Sequence, residues 1–434
     1  MKVLWFASSC GYSPYSSQQQ GSVNKQGYNG GGWMPSLLHE MKQREGIEMG
    51  VCFAMDGQPF KEEQNGVTYY PFPNHRKPWK DKVLDIIYYR HPERDRILWS
   101  HYVDHFKQVI DDFKPDVIEI FGSELYLGLA TFVAPCPVVL HIQGILSLLI
   151  YTWFPSGVSK NSYFFQDWSI MNIYNRFQWY VYWQRSCYRE QQVLANTKYV
   201  IGRTHWDELA TKILNPERVY YYGGEILRKE FYEEHERIIP QKLTIVSTSS
   251  DPMYKGFDYV LQTANILKNV MKRDFEWKVY GNLNPKFHQK FTGLQYKDLN
   301  ISLMGVASAA TLCKSISHAT VYFQPSYIEN SPNSVCEAQI LGVPVVATNV
   351  GGTASLIEEG KTGFLIPTND PYTAAYRIVQ LYSNTKLNNE IGIQGKMVAQ
   401  KRHNKQDIVN ELINVYKEVR ATQLTTSSPV THVG

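Results

Sequence analysis

The 434-residue chain has six cysteines, Cys10, Cys52, Cys136, Cys187, Cys313 and Cys336, none in a CxxC pair or a Cys/His cluster. That scatter excludes a disulfide framework and a structural zinc site, and fits packing residues in a reducing compartment. No Lys/Arg block runs through the sequence and the net charge is only +4, which excludes a nucleic-acid partner. The longest apolar run, 145–154, is about ten residues, where spanning a bilayer takes roughly twenty. The opening run 3–7 is too short for a signal peptide and reads as a first buried strand. No GxGxxG follows that strand directly, which counts against a nicotinamide dehydrogenase. The reading is a cytoplasmic protein with at most a peripheral position at the inner face of a membrane.

What the chain does have is a globular composition, 43% hydrophobic and 19% charged, at a length that calls for two domains. Short β-rich runs are expected at 2–7, 49–54, 67–70, 116–121, 137–142, 198–202 and 218–222. A second series is expected at 243–247, 276–280, 300–304, 320–324, 343–348 and 363–366. Amphipathic segments such as 100–113, 256–270 and 372–382 separate them. Strand–helix–strand alternation predicts an α/β fold of two doubly wound, Rossmann-like domains. The expected division is 1–228, a charge-dense linker 229–242, a second domain 243–400, a helix 401–420 packing back on the first domain, and a frayed tail 421–434.

Two segments are unusual. Residues 8–32 form a Ser/Gln/Gly/Tyr-rich connection of about 25 residues, long enough to be either functional or disordered. The stretch of about 145–190 is crowded with aromatics, including Trp153, Phe164, Trp168, Trp179 and Trp183. Core packing for extra helices is its simplest reading. An acceptor platform or an amphipathic lip at a membrane interface are the sharper ones.

The chemistry concentrates in 325–348, PSYIENSPNSVCEAQILGVPVVAT. A strand ends near Gln324, a turn carries Glu329, and a helix is expected with Ser331 as N-cap and Pro332 at its first position. It should end at Gly342, before another buried strand. Its free N–H groups and positive dipole end suit a phosphate, and Glu329 and Glu337 can both face a ligand lying across the strands' carboxyl ends.

Glu329 and Glu337 with seven residues between them, then Ala338, Gly342, Pro344, Gly351-Gly352-Thr353 and Gly360-Lys-Thr-Gly-Phe-Leu-Ile-Pro367, resemble the E-x7-E signature and its continuation in retaining GT-B glycosyltransferases of family four, the glycosyl transferases group one. The resemblance implies the GT-B fold, with a deep cleft between two Rossmann-like domains, and transfer of a hexosyl unit from a nucleotide-diphospho-sugar to a hydroxyl of a glycan or lipid-linked acceptor with retention. It implies surface polysaccharide biosynthesis as the setting, and neither cofactor nor metal, the nucleotide-sugar being a substrate. It makes Glu329, Lys255 and His141 the catalytic set: Glu329 on donor-sugar hydroxyls, Lys255 on the diphosphate, His141 near the donor sugar. Donor contacts would come from Glu337 on the ribose, from Asn330, Ser331, Asn333, Ser334 and Val335, and from Gly351 and Gly352. Gly30, Gly31 and Gly32 match the family's N-terminal Gly-rich loop, displaced about twenty residues further from the first strand.

The chain departs from the family in one charged position: Ser247-Thr-Ser-Ser250-Asp251 stands where an Arg normally precedes the Lys by five residues. Arg203, Arg228 or backbone N–H groups alone are the available substitutes. Each candidate has a plainer reading: Glu329 as a solvated loop carboxylate, Glu337 as half of a surface ion pair, Lys255 as an exposed lysine, His141 as a hydrogen-bonded core histidine, and Gly30–Gly32 as a flexible turn. A catalytically inactive sugar-nucleotide-binding partner of a polysaccharide assembly complex and a GT-B sugar-nucleotide epimerase remain the alternative functions.

Overall fold

The computed structural model describes residues 1–8, 10, 12, 33–75 and 77–426, with side chains as far as 423. The first sheet contains β1 (Lys2–Phe6), β2 (Glu48–Ala54), β3 (Glu62–Gln64), β4 (Val67–Phe72), β5 (Val117–Phe121), β6 (Val138–His141), β7 (Tyr199–Gly202) and β8 (Val219–Tyr222). The second contains β9 (Leu243–Thr248), β10 (Phe275–Tyr280), β11 (Ile301–Gly305), β12 (Val321–Gln324), β13 (Val345–Thr348) and β14 (Phe364–Ile366). The helices are α1 (Trp33–Met41), α2 (Trp79–Ile87), α3 (Trp99–Phe113), α4 (Leu146–Leu149), α5 (Lys160–Phe164), α6 (Ile170–Ala195), α7 (His205–Leu214), α8 (Phe257–Asn265), α9 (Lys286–Thr292), α10 (Ala309–Ser317), α11 (Asn333–Ile340), α12 (Pro371–Ser383), α13 (Thr385–Arg402) and α14 (Lys405–Thr426).

The first sheet runs β3-β4-β2-β1-β5-β6-β7-β8, parallel except for β3, and the second β11-β10-β9-β12-β13-β14, parallel throughout. Apart from the β3 hairpin both follow the doubly wound order, so each reverses direction beside its first strand: between β1 and β5, and between β9 and β12. That crevice is where such sheets take ligands. Strands such as β5 and β13 are buried at every residue, which is why they read as apolar runs broken only by Glu119 and Thr348. Helices cover both faces. On the second domain α8 and α12 fill one face and α10 and α11 the other. α3 shows the logic: Tyr102, Phe106, Val109, Ile110 and Phe113 repeat at helical spacing and are buried, and Lys114 in the left-handed conformation ends the helix. Each such large side chain contributes about 2 kcal/mol of burial.

The chain leaves the first domain earlier than the charge-dense stretch suggests. Leu227 and Phe231 belong to the second domain's core, and the Arg237 guanidinium donates to the Ser317 carbonyl at 2.9 Å. The crossing therefore falls at 223–226, because two apolar anchors hidden among charges dock the residues after it onto the second domain. The last helix is α14 rather than 401–420, and continues through Thr426 into the segment expected to be frayed. Ile408, Leu412, Val415, Tyr416 and Val419 lay its apolar stripe on the first domain, where Tyr416 Oη accepts from Trp5 Nε1 at 3.0 Å.

The aromatic segment forms α4, α5 and the long α6. Trp153 and Phe164 are buried, while Trp168 is 85% exposed. Phe154, Val158 and Tyr163 pack on Met253, Phe287 and Phe291, so this insertion bridges the two domains. Among the described residues no helix is long and apolar enough to cross a membrane.

Candidate functional site

The carboxyl edges of the two sheets enclose a cleft of about 680 Å³. Its C-terminal wall comes from the loops on either side of the β9/β12 crevice. After β9, a short 3-10 turn presents Lys255, and Gly256 in the left-handed conformation redirects the chain into α8. A Cβ at Gly256 would collide with the Pro325 carbonyl, so only glycine fits there. After β12, the turn carrying Glu329 folds alongside, tied on by Tyr327 N–H donating to the Tyr254 carbonyl at 2.7 Å. The result is an ion pair, Lys255 Nζ to Glu329 Oε1 at 2.6 Å. Ser326 Oγ donates to the same oxygen at 2.8 Å. Burial pulls the Lys255 ammonium down, but Glu329 and then Tyr254 outweigh it and hold it above the ordinary lysine range.

A second pair stands beside the first. Arg228 donates from Nε and Nη2 to the two oxygens of Glu337, both at 2.8 Å, the planar two-point geometry of a strong pair. Glu337 is 6% exposed. Burial raises its carboxyl above the usual range, with Arg228 working against that shift. Arg203, at the end of β7, pairs with Glu225 and donates to the Ile142 and Gln143 carbonyls at 3.2 and 3.0 Å. Both arginines line the cleft with Ser249, Ser250 and Asp251. Cations therefore reach the region where the sequence shows no Arg, from the hinge and from the first domain.

The helix after Glu329 starts one residue later than expected. Pro332, extended at ψ 109°, is the N-cap, and its carbonyl accepts from Val335 N–H at 2.9 Å, closing the first turn. Asn333 and Ser334 begin α11 on the cleft wall next to Ser331, and Gly342 follows its end with φ +73°. Asn333 and Ser334 N–H groups occupy the position where a helix start offers donors to an anion.

Not every expected donor contact faces the cleft. The Val335 side chain is fully buried in the domain core. Asn330 is turned to the domain interface, accepting from Thr204 Oγ1 at 2.7 Å and donating to the Gln143 carbonyl at 3.4 Å. Gly351 and Gly352 approach the acid-bearing turn from behind. Gly352 N–H donates to the Glu329 carbonyl at 2.9 Å, and a Cβ on Gly351 would collide with that carbonyl. They buttress the Glu329 turn instead of lining the cleft. His141 is 1% exposed, shielded by Trp33 and Phe121, with Nδ1 on Glu119 at 2.9 Å and Tyr416 Oη donating to the other Glu119 oxygen. Gln143, two residues on, reaches the wall in its place. Gly30, Gly31 and Gly32 lie outside the described residues. Sequence reasoning passed over Glu225, Gln143 and Tyr254, which carry no motif of their own. Among the described residues no group of three or more metal-ligating side chains is placed to hold a metal ion.

Two doubly wound domains facing across a cleft, joined by a returning C-terminal helix, define a GT-B protein. Solved structures share that fold. Sucrose-phosphate synthase from Thermosynechococcus elongatus superposes with a TM-score of 0.67 at 16% identity, over 97% of this chain and 99% of that one. Anabaena HepE, solved with UDP and glucose, gives 0.64 at 15% identity over 96% and 99%. Residues 240–384 match the family model described as Glycosyl transferases group 1, so the C-terminal domain is a group 1 glycosyltransferase domain. The capsular polysaccharide biosynthesis glycosyltransferase CapM of Staphylococcus aureus is 32% identical over 219 residues, 50% of this chain and 51% of that protein. The matched stretches span 64%, 51% and 38% of the lengths of three curated relatives.

Proposed function

We propose that the protein transfers a hexosyl unit from a nucleotide-diphospho-sugar to a hydroxyl of a glycan or lipid-linked acceptor, with retention, in surface polysaccharide biosynthesis. The observation that carries this reading is the juxtaposition of the Lys255–Glu329 and Arg228–Glu337 pairs at the start of α11. A donor diphosphate draws Lys255 and Arg228 onto its oxygens. Glu329 is then released to the sugar hydroxyls and Glu337 to the ribose hydroxyls. Cations and helix N–H groups stabilise the charge that grows on the leaving diphosphate. The C1–O(phosphate) bond breaks, the acceptor oxygen bonds C1 on the same face, and its proton passes to the departing phosphate oxygen. Closure of the two domains keeps water from competing. No metal takes part in this scheme.

HepE is solved in complex with UDP and glucose, and CapM is named for capsular polysaccharide biosynthesis; the one supports the donor class and the other the setting. We place the work in the cytoplasm, with peripheral contact to an anionic membrane face through exposed Trp79 and Ile87, which share α2 with exposed Lys80 and Lys82, and through exposed Trp168 and Ile170. Flotation with anionic liposomes tests that contact, and protein left at the bottom of the gradient removes it. The main test is a thermal-shift screen against uridine, guanosine, adenosine and thymidine diphospho-sugars. One should stabilise selectively and then be hydrolysed slowly. Tight binding without hydrolysis or transfer would instead favour the inactive partner, and no stabilisation by any would refute both.

A further inference from the structure

The aromatic insertion of the first domain reaches the turn that presents Lys255. The insertion's tip is itself a tight turn, 155–158, closed by Val158 N–H donating to the Pro155 carbonyl at 2.9 Å. Ser159 then caps α5, its Oγ accepting from Ser162 N–H at 3.0 Å. Gly157 in that turn is in the left-handed region at φ +88°, and a Cβ there would stand 3.2 Å from the Phe291 ring. The backbone conformation and the close approach to the other domain both call for glycine.

The tip sets Val158 into the second domain. Val158, Met253 and Phe287 form one buried apolar cluster, with Phe154, Tyr163 and Phe291 packed around it. The Tyr163 and Phe287 rings meet edge to face, their centroids 5.9 Å apart at 86°. Next to this cluster in the chain, the Trp183 ring on α6 faces the Tyr254 ring at 6.5 Å. Met253 and Tyr254 are the first two residues of the 3-10 turn whose third is Lys255. The first domain therefore packs against both residues that lead into the lysine. The insertion is joined to the second domain by packing and not by chain, so these contacts form and break with the angle between the domains.

We infer that Phe154, Val158 and Tyr163 are positioning residues of the reaction: they clamp the Met253–Lys255 turn from the opposite domain, and so hold Lys255 at the donor diphosphate while the domains are together. This rests on the transferase reading above. Lys255 is drawn to Glu329 at 2.6 Å within its own domain, and a diphosphate must compete for it. A clamp on the backbone that carries the ammonium supplies part of the ordering the ligand would otherwise have to provide. Opening the cleft would return the apolar cluster to water and withdraw that ordering.

The test is a double-mutant cycle in the full chain between Tyr163→Ala and Lys255→Ala, with UDP, GDP, ADP and dTDP as probes and affinity read by calorimetry. Tyr163→Ala changes the first domain and removes no residue of the cleft wall. A diphosphate that binds wild type should bind Tyr163→Ala at least about fivefold more weakly, with native circular dichroism. In the Lys255→Ala background the same change should cost less than about twofold, because the clamp acts through the lysine. Tyr163→Phe should keep wild-type affinity, since the ring and not the hydroxyl makes the contact. A residue that served stability alone would cost the same in both backgrounds, and that result overturns the assignment. Unchanged affinity in Tyr163→Ala overturns it too, as does a loss in Tyr163→Phe equal to that in Tyr163→Ala. Val158→Ser supplies the same cycle if Tyr163→Ala does not fold. Should none of the four diphosphates bind wild type, the transferase reading fails first and the clamp falls with it.

Discussion

Replacing Arg228 by Met separates the roles the structure gives it. The pair it forms with Glu337 is bidentate at 2.8 Å, with side-chain exposures of 17% and 7%. At an effective dielectric of about 20, two charges at 4 Å attract by about 4 kcal/mol. Removing one partner of a buried pair costs about 3–5 kcal/mol, because the other charge stays behind. Water reaches the arginine side here, so the lower end, about 3 kcal/mol, is expected. Burial already raises the Glu337 carboxyl, and without Arg228 it rises further. The native variant then binds more protons than the unfolded chain, so its stability falls as pH rises through the raised folded-state value and recovers toward acid. The deficit should be largest near pH 8 and shrink near pH 5. Glu337→Gln added to Arg228→Met should restore about 2 kcal/mol, since a neutral amide no longer needs a counter-ion. Melting curves of wild type, Arg228→Met, Glu337→Gln and the double variant at both pH values provide the measurement, read on the C-terminal transition because a two-domain chain need not unfold in one step. Equal deficits at pH 5 and pH 8, or a further loss in the double variant, would refute the reasoning.

Glu329→Ala should lower transfer by at least about 100-fold, the scale of losing a positioned charged contact in the transition state, while circular dichroism stays native. Gly351→Ala forces a side chain into the Glu329 carbonyl at a φ of +50°. It should cost about 1–3 kcal/mol in melting and more than tenfold in turnover. Transfer should be unchanged after dialysis against EDTA, and activity regained only with added Mg²⁺ or Mn²⁺ would contradict the scheme.

The sheets were legible because parallel strands buried on both faces are mostly apolar, as in 117–121 and 345–348, where Glu119 and Thr348 are the exceptions. The edge strand β3 was not, since Glu62-Glu63-Gln64 buries no side chain fully. Its signal lay in Asn65-Gly66, both at positive φ, the two-residue hairpin turn. Glu329 and Glu337 were visible as a pattern because one local unit, β12–turn–α11, places them, and Lys255 was visible by its own Lys-Gly step after β9. Gly351-Gly352 belonged to the same pattern, yet proximity in sequence did not tell whether the pair approached ligand or chain. Arg228 had no local signature: it meets Glu337 across 109 residues, and only the fold supplies that encounter.

That long-range encounter bears on how the missing family Arg is replaced. A cation on the loop after β9 would share the rigid body of Lys255. Arg228 instead sits just past the crossing at 223–226, held to the second domain by Glu337, by the Phe231 ring at 4.9 Å from its guanidinium carbon, and by Leu227 in the core. The crossing is tight: a Cβ on Gly223 or Gly224 would press on Ile201 or Ile408. Ile408 belongs to α14, whose Tyr416 reaches Glu119 behind His141. Arg228, the crossing and the returning helix therefore form one contiguous arrangement. A change in domain angle would strain the segment bearing Arg228, so under the proposed scheme donor binding and closure are expected to be coupled in a way that a cation on the β9 loop would not be.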